Sequence, residues 1–71
     1  MITEDVGQRI RYFRKRMGLS QEKLALKADI DRTYLAGIES GKLNATIISL
    51  EKIINALEIT MKSFWDFEPY C

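Results

Sequence analysis

The segment Gly18-Leu19-Ser20-Gln21-Glu22-Lys23-Leu24-Ala25-Leu26-Lys27-Ala28-Asp29-Ile30-Asp31-Arg32-Thr33-Tyr34-Leu35-Ala36-Gly37-Ile38-Glu39 reads as two short helices across a tight turn. Ser20 and Asp31 are good helix caps, because their side-chain oxygens accept from amides that a first turn leaves unpaired. Each cap has an aliphatic residue before it and another four residues inside: Leu19 with Leu24, and Ile30 with Leu35. That is the spacing of a hydrophobic staple, which fixes how the chain enters a helix. The pattern predicts helices over about 21–28 and 32–39, joined only by Asp29, Ile30 and Asp31. Helices so joined form a helix-turn-helix unit. Plain bundles use the same spacing, so the small Ala25 and Ala28 at the crossing matter. Leu24, Ile30, Leu35 and Ile38 would fill the wedge between the two helices.

The same punctuation extends outward. Val6, Ile10, Phe13 and Met17 recur at the period of one buried helix face, with Thr3 as cap and Gly18 as terminator. Thr46 caps a fourth helix whose apolar face is Ile47, Leu50, Ile54 and Leu57, with Ile53 flanking. Gly41 ends the third helix. Thr60, stapled by Ile59 and Phe64, opens a fifth helix over about 61–67, which Pro69 stops. The expected fold is all-α, a compact five-helix domain over residues 1–71.

At 71 residues, a single core needs help from regular helix packing, a partner subunit, a metal or disulfides. The lone cysteine, Cys71, excludes an internal disulfide, and the absence of histidine excludes His-Cys zinc sites and histidine-based catalysis. With no nucleophile–base pair and no phosphate loop, no catalytic site, metal or cofactor is expected. No apolar run approaches the roughly 18 residues of a membrane span, and the N-terminus is acidic, so neither a span nor a signal peptide is expected. The net charge of +1 hides an asymmetry. Residues 9–42 carry nine bases and four acids, whereas residues 1–8 and 43–71 are each net acidic. A basic middle suits a polyanion, although a solvated helix face gives the same count.

Gly18–Ala28 followed by Ile30–Glu39, then Ser40-Gly41-Lys42 and Thr46-Ile47…Leu50…Ile54…Ala56-Leu57, resembles the Cro/phage-repressor (Xre) family of helix-turn-helix DNA-binding proteins. The likeness covers about residues 5–60. Asp31–Glu39 looks particularly like the controller proteins of restriction–modification systems. The resemblance implies a lambda-repressor-like fold whose third helix lies in the major groove of double-stranded DNA. The sequence departs from the family at Asp29, where glycine is usual, at Ala45, often proline, and at Leu43, where the controller-like subset often has arginine.

The resemblance assigns Arg32, Thr33 and Ala36 to base reading. Arg32 suits guanine, since its planar fork donates to O6 and N7 together. It implies that Gln21 bonds a phosphate, with Tyr34, Ser40, Lys42 and Asn44 as further phosphate contacts that fix register without reading sequence. A solvated Arg32 and a half-buried packing role for Tyr34 remain alternatives. The resemblance also implies a partly buried ion pair between Arg14 and Glu39, leaving Arg9, Arg11 and Lys15 as a solvated face. The tail 58–71, rich in aromatics, is expected to contribute a dimer interface through Phe64, Trp65 and Phe67, unless Phe64 and Phe67 only cap the monomer core. The function so implied is a cytoplasmic, homodimeric, sequence-specific transcriptional regulator on a pseudo-palindromic operator, with no small-molecule ligand. A toxin-neutralising DNA-binding antitoxin and a protein-interaction module on the same fold are the alternatives.

Overall fold

The computed structural model describes residues 1–71 and contains five helices and no strand. α1 spans Ile2–Arg16, α2 Gln21–Ala28, α3 Arg32–Glu39, α4 Ile47–Ala56 and α5 Met61–Phe64. α2 and α3 keep their predicted bounds because their caps form. The Ser20 hydroxyl accepts from the Lys23 amide at 3.1 Å, and the Asp31 carboxylate from the Tyr34 amide at 3.2 Å. Thr46 and Thr60 accept from the amides of Ser49 and Ser63 in the same way, each at 3.0 Å. Leu24, Leu35 and Phe64 are fully buried, with their staple partners Leu19, Ile30 and Ile59 half-buried against the core. Asp29 adopts φ 58°, ψ 48°, the left-handed conformation that folds α3 back across α2.

The core gathers Ile10 of α1, Leu24, Ala25 and Ala28 of α2, Leu35 and Ile38 of α3, Ile53 and Ile54 of α4, and Phe64 of α5. α1 packs on α3, and α4 packs on α2 and α5. The α1–α3 approach is close enough to require glycine at Gly7, where a Cβ would lie 2.7 Å from the Glu39 carbonyl oxygen. α3 is thereby held rigidly from behind by α1, with its first turn left outside.

The fold corrects several expectations. α1 begins at Ile2, so Thr3 lies inside it rather than capping it; the Met1 carbonyl already accepts from the Asp5 amide at 3.0 Å. Ile47 is 85% exposed and does not join the buried face of α4, which is made by Ile53, Ile54 and Leu57 with half-buried Leu50. α5 ends at Phe64, well before Pro69. At its end stands Arg9, which is half-buried rather than part of a fully solvated face: its guanidinium caps the carbonyls of Phe64 (2.9 Å), Ser63 (3.0 Å) and Asp66 (3.3 Å). Those first two carbonyls would carry the next turn of a longer helix. The same guanidinium lies over the rings of Phe13 and Phe67, at 4.5 and 4.8 Å from their centroids. Finally, Phe64 is completely buried within the monomer, so it has no surface to offer a partner.

Candidate nucleic-acid interface

α3 starts on an exposed edge. Arg32 is its first residue, and both Arg32 and Thr33 are exposed, while Ala36 one turn later is half-buried. Arg32 stands at the positive end of the helix dipole, so its own charge is disfavoured there by a few tenths of a kcal/mol. The Glu22 carboxylate, at the start of α2, lies 3.7 Å from its guanidinium. With both side chains largely exposed, such a pair is worth about 0–1 kcal/mol. It is easily exchanged for another acceptor. Glu22 carries no motif signal in the sequence; the crossing of two helix starts over a short turn is what places it beside Arg32.

Behind this edge the interior ion pair is made. Arg14 Nε donates to Glu39 Oε2 at 2.8 Å and Arg14 Nη2 to Glu39 Oε1 at 3.0 Å, a two-pronged contact. Arg14 Nη1 donates to the Leu19 carbonyl at 2.9 Å, at the entry to α2. Gln21 Nε2 donates to Glu39 Oε1 at 3.2 Å, so one of its two amide hydrogens is used inside the protein. The end of α3, the C-terminal part of α1 and the start of α2 are thus locked together.

Tyr34 is half-buried against the core, and its hydroxyl serves the chain that follows α3. It donates to the Asn44 carbonyl and accepts from the Thr46 amide, both at 3.2 Å. Hydrogen bonds from the Ser49 side chain and the Thr46 backbone hold the phenol below its ordinary value of 10.0. Tyr34 therefore braces the loop carrying Lys42 and Asn44 against α3. From the other side, the amides of Lys42 and Leu43 both donate to the Gly37 carbonyl, at 3.0 and 3.1 Å. A Cβ at Gly37 would run into the Leu43 side chain. Ser40 donates its hydroxyl back to Gly37 O at 3.0 Å. Lys42 and Asn44 are exposed. Thr33, Lys42 and Asn44 make no side-chain hydrogen bond on this edge, Arg32 is held only by the loose Glu22 contact, and Gln21, Tyr34 and Ser40 are partly committed to holding the edge. Of the tail residues, Trp65 and Phe67 are half-buried and stacked on each other at 6.4 Å.

Residues 10–64 match the profile of the helix-turn-helix family. The chain belongs to that family. It is a DNA-binding regulator, not an enzyme. The chain is 42% identical over 62 residues to the control protein C.BamHI of Bacillus amyloliquefaciens, covering 86% of this chain and 76% of that protein. It is 44% identical over 64 residues to the control protein C.MunI of a Mycoplasma species, covering 87% of this chain and 86% of that one. In three dimensions it matches the restriction–modification controller protein C.Esp1396I, solved as a tetramer with its natural 35 base-pair operator. The TM-score is 0.88 at 39% identity, over 93% of this chain and 87% of that chain. No helix of this helix-turn-helix protein is long and apolar enough to cross a membrane.

Proposed function

We propose that this helix-turn-helix protein is a restriction–modification controller: a homodimeric cytoplasmic regulator that reads a pseudo-palindromic operator with α3 of each copy. The observation that carries the proposal is the exposed Arg32–Thr33 start of a rigidly backed α3, on a chain alike throughout to controller proteins. Arg32 and Thr33 read base edges, with Ala36 toward the groove floor. Lys42, Asn44, Ser40 and the remaining amide hydrogen of Gln21 meet phosphates. Tyr34 acts chiefly as the brace that sets where the loop clamps.

Two-fold reading follows from size. Recognition helices of such dimers lie about 34–36 Å apart, one turn of the duplex. The chain measures 29 × 24 × 21 Å, so one copy spans a single half-site. Assembly then makes occupancy depend on protein concentration, which gives a threshold response with no effector molecule.

Selection of bound fragments from random duplex DNA tests the proposal. The expected outcome is a motif with two inverted halves centred about 10 base pairs apart. Recovery of unrelated sequences, with no enrichment over several rounds, would reject it.

A further inference from the structure

Glu39 closes α3 at the end opposite the exposed Arg32–Thr33 start, and it is buried. Its ion pair is complete without further help. Arg14 Nε donates to Oε2 at 2.8 Å, and Arg14 Nη2 to Oε1 at 3.0 Å. A carboxylate offers about four acceptor positions, so this clamp leaves room for another donor. That donor comes from α2: Gln21 Nε2 lies 3.2 Å from Glu39 Oε1, across 18 residues of chain. The ion pair does not need this bond, but Gln21 gains from it. Gln21 stands half-buried as the first residue of α2, where the backbone amides lack helical acceptors and the helix dipole favours an anion. Glutamine is among the side chains with the most rotamer freedom to lose. Fixing such a side chain only on binding lowers affinity by about two- to tenfold for each one immobilised.

We infer that Glu39 is a positioning residue for DNA binding: clamped by Arg14, its Oε1 holds the Gln21 amide in the free protein, with the second amide hydrogen left for a phosphate. This rests on the phosphate contact read above for Gln21. Glu39 itself cannot reach a duplex, since its side chain is only 3% exposed. α3 then serves the interface from both ends. Its first turn meets the bases, and its last residue orients the group that α2 brings to the backbone. A phosphate contact carries no base information, so the effect is the same for every sequence. A neutral amide displaces no counterion, so the salt slope stays as it is. A purely structural Glu39 would change folding stability and leave the affinity of the folded protein alone.

Removing Glu39 by itself strands Arg14, so the test compares two variants that both lack the arginine. Arg14→Met/Glu39→Gln keeps an oxygen that can accept from Gln21, and Arg14→Met/Glu39→Met does not. Exchanging a buried ion pair for apolar residues of similar volume is often close to neutral, and thermal melts establish that both variants fold. Binding is read by fluorescence anisotropy on the duplex selected above and on a random-sequence duplex, each over a salt series. Arg14→Met/Glu39→Met should bind both duplexes about two- to tenfold more weakly per bound copy than Arg14→Met/Glu39→Gln, with the same salt slope. Adding Gln21→Ala should erase the difference, by weakening Arg14→Met/Glu39→Gln and leaving Arg14→Met/Glu39→Met unmoved. Equal affinity of the two pair variants, or the same Gln21→Ala penalty in both, overturns the inference and leaves the phosphate contact standing. If Gln21→Ala costs the wild type nothing, that contact fails and the inference with it. A wild type that binds no duplex at low salt overturns the proposed function as well. Should either pair variant fail to fold, heteronuclear relaxation of the wild-type side-chain amides decides, with Gln8, exposed on α1, as the internal reference. Gln21 should be ordered and Gln8 mobile; equal mobility overturns the inference.

Discussion

Arg14 and Glu39 are the charged side chains buried in this core, at 9% and 7% exposure. Two hydrogen bonds join them to each other, and Leu19 and Gln21 supply one more to each side of the pair. Removing either partner strands the other in a dry site, which costs about 3–5 kcal/mol. Arg14→Met and Glu39→Gln should each lower stability on that scale in denaturant melts, and their double variant should lose much less than the sum. Near-zero coupling in that cycle would show that the contact contributes nothing as a pair. Asp29 behaves differently. It is exposed, sits at φ 58°, and its side chain makes no hydrogen bond. A left-handed residue with a Cβ costs roughly 1 kcal/mol relative to glycine. Asp29→Gly should therefore hold or raise the melting temperature and leave DNA affinity unchanged. A clear drop would mean that the carboxylate contributes more than the backbone strain removes.

At the scale of elements, α2 and α3 were legible because their boundaries are written in local chemistry: a capping oxygen, an aliphatic staple on each side, and a short turn. The same local rules misplaced the end of α5, whose last carbonyls are capped by a side chain 54 to 57 residues away in sequence. Nothing in the spacing of Arg9 among Arg11, Arg14, Lys15 and Arg16 marks it as the one that reaches the tail. Ile47 fits the helical period of the buried face and still points to solvent, since periodicity gives a face but not how far a neighbour covers it. In the site, the motif resemblance placed Arg32 and Thr33 on the exposed start of α3, but the commitments of Gln21 and Tyr34 needed the fold. The tail is held by Arg9 on one side and by the Tyr70–Asp5 bond on the other. Arg9→Ala should loosen residues 65–70 while α1 to α4 persist, read as faster amide exchange of the tail and altered Trp65 fluorescence; unchanged exchange would show that the aromatic packing alone suffices. The Tyr70 bond carries a pH sign. The hydrogen bond to Asp5 raises the phenol above its ordinary 10.0, so this contribution is present below that value and lost as pH rises through the folded one. Tyr34 is shifted the other way, so it should ionise before Tyr70 in an ultraviolet titration, with Tyr34→Phe removing the earlier phase and Tyr70→Phe the later.

For the whole molecule, the basic span 9–42 divides into charges already spent and charges left for DNA. Arg9 and Arg14 are committed inside, Lys27 meets Glu58 at 2.6 Å, and Arg32 is held only loosely by Glu22 at 3.7 Å. On the proposed reading, Arg32 and Lys42 are the separable cations of the α3 edge, and they should fail differently. Truncating a base-reading arginine removes discrimination, roughly 1–3 kcal/mol at one base pair in each half-site. Truncating a phosphate-bound lysine leaves one phosphate un-neutralised, so fewer counterions are released on binding. Affinity then falls for every sequence, and the log–log salt slope shrinks by about one unit for each such phosphate. Arg32→Ala should thus flatten preference at one position per half-site in competition against single-base operator variants. Lys42→Ala should weaken operator and random duplex by the same factor and leave the preference profile intact. Glu22→Gln adds a third arm, because it releases Arg32 without touching DNA: operator affinity should hold or rise slightly, as the carboxylate competes with the duplex for the guanidinium. If Arg32→Ala weakens operator and random DNA equally, Arg32 is a backbone contact, and sequence reading falls to Thr33 and its neighbours on α3.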